Sequence, residues 1–205
     1  MEKVLYILIL ILTSNFYKNI HYTRIKNYDF IVNKSNKLPS TYIPNDLEPI
    51  NESYSLKDKY LRHEARIAFE EMSKQAKKEG YNVIAVSTYR SYDYQKKLYS
   101  HYVEKKGFYY ADMASARAGH SEHQTGLAVD VADISYDYDN FEKTKEFKWM
   151  IKNCYKYGFI LRYPQAKFHI TGFKYEPWHY RYVGKNTATY IHKKNITLEE
   201  YKKSG

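Results

Sequence analysis

Two short segments, well separated in the chain, hold side chains that could do chemistry together. The first is Ser121-Glu122-His123-Gln124-Thr125-Gly126-Leu127-Ala128-Val129-Asp130 and the second is Glu176-Pro177-Trp178-His179-Tyr180-Arg181. They offer two imidazoles and one carboxylate as metal ligands, with a second carboxylate beside the last imidazole. Three protein ligands, an open position for water and a nearby general base are what a catalytic zinc hydrolase requires. His123 and Asp130 are seven residues apart with Gly126 between them. That spacing is wrong for one helix face but suits a turn feeding a strand, with Gly126 allowing the bend. His179 would come from a second strand. Two imidazole nitrogens and a carboxylate oxygen suit zinc. Glu176 is the candidate general base, able to take a proton from water and pass it to a leaving amine. Residues three apart on a regular strand point to opposite faces. Pro177 cannot donate a ladder hydrogen bond, so a break there is expected to bring Glu176 and His179 to one site.

These groups need a scaffold. Leu61, Ala65, Ala68, Met72 and Ala76 recur at helical spacing, and Gly80 is a natural stop. Val83 to Tyr89 reads as a strand, and Asp93 as the cap of a helix running until just before Gly107. Leu127 to Ala132 alternates, with Leu127, Val129 and Val131 on one face and Ala128, Asp130 and Ala132 on the other. The alanines are expected to leave room for a metal and a substrate. Glu146 to Tyr157 reads as a helix ended by Gly158, Phe159 to Arg162 and Trp178 to Val183 as strands. Thr197 and Glu200 form a capping-box pattern for a short terminal helix. Helices and strands mix without a regular βαβ repeat. The pattern predicts an α+β single domain, a mainly antiparallel sheet flanked by helices, with the zinc site on the sheet.

The chain has 205 residues and is 43% hydrophobic, which suits one domain with a real core plus a short appendage. Its formal net charge of +10 favours polyanions in general. The basic residues are spread out and no nucleic-acid motif is present, so no nucleic-acid partner is expected. The 25 tyrosines are read as codon bias, along with the many Lys, Asn and Ile residues. The single cysteine, Cys154, excludes an intramolecular disulfide and reads as a small core residue. Met1-Glu2-Lys3 precedes an apolar run from Val4 to Leu12, which fits an export signal and is too short to span a bilayer unaided. The expected organisation is a signal peptide or membrane anchor over 1–17, a linker over 18–37 and a catalytic domain over 38–205.

At these motifs the chain closely resembles the VanY-type D-alanyl-D-alanine carboxypeptidases, zinc peptidases of bacterial peptidoglycan related to the L,D-carboxypeptidases. The resemblance runs from about Asn36 to Gly184. It includes Ser87-Thr88-Tyr89-Arg90-Ser91 with Gln95, the Ser121 to Asp130 segment, Gly158-Phe159-Ile160-Leu161-Arg162-Tyr163-Pro164 and the Glu176 to Val183 segment. It implies one Zn2+ per chain held by His123, Asp130 and His179, with Glu176 as catalytic base. It implies that Arg90 stabilises the scissile carbonyl or binds substrate, and that Gln95, Ser121 and Trp178 line the substrate pocket. Ala118 stands where the family often has proline, a loop detail. His120 and His169 lie off the ligand positions and read as structural.

The resemblance therefore implies a zinc D,D-carboxypeptidase that removes the terminal D-alanine of peptidoglycan stem peptides. It would act as a monomer on the outer face of the cell membrane or in the wall, touching membrane through its N-terminal segment only. The same site could instead serve an L,D-carboxypeptidase or a peptidoglycan endopeptidase. In a different class, the chain could be an inactive, metal-retaining wall-binding protein, against which the intact Glu176 argues.

Overall fold

The computed structural model describes residues 28–204. The signal or anchor expected over 1–17 lies outside the described residues. Among the described residues, no helix is long and apolar enough to cross a membrane.

Two strands, β1 (Leu47–Pro49) and β2 (Tyr60–Arg62), form an antiparallel pair. The main sheet has four strands: β3 (Ile84–Ser87), β4 (Ala128–Ala132), β5 (Phe159–Leu161) and β6 (His179–Tyr182). Their order is β3-β4-β6-β5 and every pairing is antiparallel, as expected. Around them lie α1 (His63–Lys78), α2 (Tyr92–Lys106), α3 (Phe108–Ala114), α4 (Lys145–Asn153), α5 (Phe168–Thr171), α6 (Lys185–Lys194) and α7 (Leu198–Lys203).

The sheet has two unlike faces, because strand side chains alternate. Val129 and Val131 of β4, Phe159 of β5, and Tyr180 and Tyr182 of β6 join the core under α1. The α1 residues Ala65, Ala68, Phe69, Met72 and Ala76 supply the other side of that core, at the spacing of one buried helix face. The second face carries the polar residues. Register pairs Asp130 with His179 and Ala128 with Arg181. Ala128 thus lies opposite Arg181 and Ala132 opposite Ile84, so the small residues flanking Asp130 stand beside larger side chains of the neighbouring strands. A smaller cluster of Ile160, Val183, Ala188, Ile191 and Leu198 fixes α6 and α7 beside β5.

Local signals mostly mark the element ends correctly. The capping box at Thr197 and Glu200 is complete. The helix expected over Glu146 to Tyr157 is α4 followed by a 3-10 turn, Cys154–Tyr157, before Gly158 at φ 86°. The cap of α2 is Ser91, whose Oγ accepts from the Tyr94 N–H at 3.2 Å, and Asp93 lies inside the first turn. The described part of the expected linker, 28–37, packs on the domain. Tyr28 and Phe30 lie against the main core, Val32 is buried, and the Tyr28 and Phe30 carbonyls each accept from Arg181 Nη2 at 2.9 Å. The packed body therefore begins before residue 38.

Candidate active site

The three expected ligand residues meet at the edge of the polar face. Asp130 projects from β4 and His179 opens β6 directly opposite it. His123 sits on a 3-10 turn, Glu122–Thr125, which Gly126 ends at φ 68° before the chain enters β4. One ligand atom from each residue lies within 4.8 Å of the others, and all three residues are buried.

The hydrogen bonds fix what each ligand offers. His123 Nδ1 faces the Thr88 carbonyl at 2.7 Å, so it carries the proton. Its Nε2 therefore presents a lone pair, 3.2 Å from Asp130 Oδ2, and is buried without a hydrogen-bond partner among the described residues. Two acceptors facing one another in a buried site repel unless a cation sits between them. His179 Nδ1 lies 2.9 Å from Asp130 Oδ1. Two nitrogens and a carboxylate converging on one point, with an unpaired lone pair among them, fit a zinc ion.

The charge distribution carries the same preference. Burial works against ionisation of Asp130, but the two imidazoles beside it pull its carboxyl well below the usual range. Burial, with help from Arg90, lowers His123 to about 4. For His179, burial opposes the charged ring, yet hydrogen bonds to Asp130 and Glu122 outweigh it and raise the imidazole to about 9. Asp130 is thus held ionised and His123 neutral, the forms that bind a metal, whereas His179 gives up a proton to join them.

Glu176 and His179 do share the site. A turn at Pro177 and Trp178, closed by the His179 N–H donating to the Glu176 carbonyl at 3.2 Å, separates them. It brings Glu176 Oε2 to 3.9 Å from His179 Nδ1. The expected break is thus a full turn preceding β6. Burial pushes the Glu176 carboxyl up to about 7, although His179 pulls the other way. A carboxyl near 7 is suited to exchanging protons at neutral pH.

These groups floor a cleft of about 410 Å³, whose walls include Arg90, Ser121, Tyr138, Tyr163 and Trp178. Arg90 Nη2 donates to Asp130 Oδ2 at 3.3 Å and Nη1 to Gln95 Oε1 at 3.0 Å. Gln95 is 1% exposed and lies behind Arg90, away from the cleft wall, where the sequence reading had it lining the pocket. Its Nε2 is spent on Ser115 Oγ and the Ala116 carbonyl, so it anchors Arg90. Ser121 lines the cleft and also caps the 3-10 turn, its Oγ accepting from the His123 N–H at 3.3 Å. Trp178 packs edge-on against Tyr138, ring centroids 5.3 Å apart, and walls the mouth. His120 bonds the Asn33 carbonyl, His169 is exposed on α5, and the buried Cys154 thiol is pushed up to about 12 by desolvation. None of the three belongs to the site.

Sequence reasoning gave no role to Glu122, which is 1% exposed beneath His179. Its Oε2 lies 3.3 Å from His179 Nε2. Its Oε1 accepts from Arg162 Nε and Arg181 Nη1, each at 2.7 Å. Arg162 in turn makes a bidentate pair with Glu199 of α7, at 2.9 and 2.6 Å. Burial opposes the Glu122 charge, but Arg162 and Arg181 hold the carboxyl far below the usual range. The one available signal was the presence of charged residues within apolar strand segments, Arg162 after Phe159-Ile160-Leu161 and Arg181 between two tyrosines.

Known proteins share this arrangement of chain. The VanY D-alanyl-D-alanine carboxypeptidase profile matches residues 58–185. YodJ of Bacillus subtilis (strain 168) is 47% identical over 178 residues, 83% of this chain and 65% of YodJ. The chain thus spans less than two-thirds of YodJ, as it does of two enterococcal D-alanyl-D-alanine carboxypeptidases. The structure of the LD-carboxypeptidase LdcB is similar at TM-score 0.79 and 47% identity, covering 84% of each chain. A mutant of the vancomycin-resistance D,D-pentapeptidase VanY, solved in complex with Zn(II), is similar at TM-score 0.72 and 32% identity, over 85% of this chain and 98% of that one. The chain belongs to the VanY D-alanyl-D-alanine carboxypeptidase family.

Proposed function

We propose that this chain is a zinc-dependent carboxypeptidase that removes the C-terminal D-alanine from peptidoglycan stem peptides, with the D,D bond of pentapeptides as its substrate. The observation that carries this reading is the meeting of His123, Asp130 and His179 ligand atoms within 4.8 Å, with His123 Nε2 buried and unpaired. His123 Nε2, His179 Nδ1 and Asp130 would hold the ion. When bound, zinc supplies a Lewis acid that activates water and polarises a carbonyl.

The chain's own groups do the rest. Glu176 takes the proton of the attacking water and returns it to the departing D-alanine amine. Arg90 Nη2, 3.3 Å from a ligand oxygen, is close enough to serve the developing oxyanion of the scissile carbonyl. Gln95 holds that guanidinium in place. Ser121 and Trp178 line the cleft in which the peptide end would lie. Since the substrate lies outside the cell, the chain would act there, brought out by its N-terminal segment, as a monomer carrying one zinc.

A second reading, cleavage of the L,D bond of tetrapeptide stems, is favoured by one specific comparison. LdcB exceeds the D,D-pentapeptidase in identity, 47% against 32%, and in TM-score, 0.79 against 0.72. Mass spectrometry of muropeptides incubated with the zinc-loaded protein separates the two. Loss of one D-alanine from pentapeptides alone supports the first reading, and shortening of tetrapeptides supports the second. Activity that survives complete removal of metal would refute both.

A further inference from the structure

We infer that Glu122 is a positioning residue that decides which nitrogen of His179 faces the metal, and thereby sets the affinity of the site for zinc. The inference rests on the zinc reading above. Both nitrogens of His179 face carboxylates: Nδ1 lies 2.9 Å from Asp130 Oδ1 and Nε2 lies 3.3 Å from Glu122 Oε2. A ligating imidazole is neutral and keeps one proton, so once a metal is to be held the two carboxylates compete for it. On Nδ1 the proton closes a hydrogen bond to Asp130 and withdraws two ligand atoms from the site. On Nε2 it is accepted by Glu122, and Nδ1 turns its lone pair toward Asp130 and His123. The Asp130 contact is the shorter of the two. Distance alone would therefore favour the unproductive tautomer, and the Glu122 carboxylate is the acceptor on the Nε2 side that opposes it.

The surrounding cluster keeps that charge in place. Arg162 Nε and Arg181 Nη1 both donate to Oε1 of Glu122, which leaves Oε2 for the imidazole. Both arginines are 0% exposed, so neither can swing into solvent. Arg162 is clamped by Glu199 from α7, and Arg181 Nη2 by the Tyr28 and Phe30 carbonyls. His123 has its tautomer set more simply, by one backbone carbonyl at 2.7 Å. Hydrogen-bonding partners of ligating histidines fix ring orientation and raise ligand basicity in this way.

The test uses Glu122→Gln and Glu199→Gln, each compared with wild type for zinc affinity by chelator competition and for the His179 tautomer by 15N NMR. A glutamine amide can donate to Nε2, which sends the proton to Nδ1. The expected result for Glu122→Gln is a loss of zinc affinity of roughly 10- to 100-fold, with the Nδ1–H tautomer gained in the metal-free protein at a pH where the ring is neutral, above about 9 in wild type. Glu199→Gln leaves Glu122 with both arginines, so it is expected to lower the melting temperature while keeping the tautomer and zinc affinity within about threefold. A folded Glu122→Gln protein with wild-type affinity and tautomer would overturn the inference. Should that variant fail to fold, zinc-loaded wild type still decides: a metallated Nδ1 with protonated Nε2 supports the inference, and a metallated Nε2 overturns it. Failure of wild type itself to bind zinc would instead refute the zinc reading.

Discussion

Replacing Glu176 by glutamine should cost activity and gain stability at once. The side chain keeps its size and loses its charge. The Glu176 carboxyl is raised from 4.5 to about 7, first by burial and despite the attraction of His179. A carboxyl whose folded value lies above its unfolded value makes the native state hold more protons. Stability therefore falls as pH rises between these two values, and the loss is complete above the folded value. At roughly 1.4 kcal/mol per tenfold change in proton affinity, keeping this carboxylate ionised costs about 3 kcal/mol. The metal-free Glu176→Gln protein should thus be more stable than wild type by up to ~3 kcal/mol at pH 8 and equal to it at pH 4. The same change removes the proposed base, which should lower kcat by roughly 10²- to 10⁴-fold, or about 3–5 kcal/mol of barrier. Urea denaturation in chelator across this pH range measures the first effect, and D-alanine release by the zinc-loaded enzyme measures the second. Stability at pH 8 equal to wild type would refute the burial argument. Activity within tenfold of wild type, in a folded and zinc-loaded variant, would refute the role of Glu176.

Other outcomes follow from the same geometry. Arg90→Lys keeps the charge but loses the fork that reaches Gln95 and Asp130, so kcat/KM should fall by about 10². Gln95→Ala should lower the same parameter less, because it acts through Arg90; a larger loss than Arg90→Lys would contradict this order. Stripping the metal should reversibly lower the melting temperature by about 5–10 °C when measured against zinc at about 100 times its Kd, read by calorimetry. Gly126→Ala should cost ~2–4 kcal/mol by chemical denaturation, because the residue sits at φ +68° and a Cβ there would stand 2.8 Å from Leu47 Cδ2. A neutral effect would mean that the turn carrying His123 tolerates rearrangement.

Much of the site was legible because its residue types are unusual in combination and its local geometry follows short-range rules. The alternation of Leu127 to Ala132 correctly separated the core residues Val129 and Val131 from Asp130. Gly126 marked the bend, and Pro177 marked the break that lets Glu176 approach His179. Where one local signal competed with another, the reading slipped. Ser91 and Asp93 both cap well, and only the backbone path chose Ser91. Gln95 belonged to the resembling motif, but its place behind Arg90 depends on where Ser115 and Ala116 pass.

The sequence by itself pointed to His123, Asp130 and His179 as candidate ligands, to Glu176 as candidate base, and to the antiparallel strands that carry Asp130 and His179. These depend on residue chemistry and on periodicities of two and of three to four residues. Tertiary structure alone decided which buried charges meet. Glu122 finds Arg162 and Arg181 forty and fifty-nine residues away, and Glu199 joins from the last helix. Residues 28–30 close the cluster from the other end of the described chain. No local pattern encodes such pairings, because a charged side chain in a sequence reads as a surface group until folding removes it from water and obliges it to find a partner.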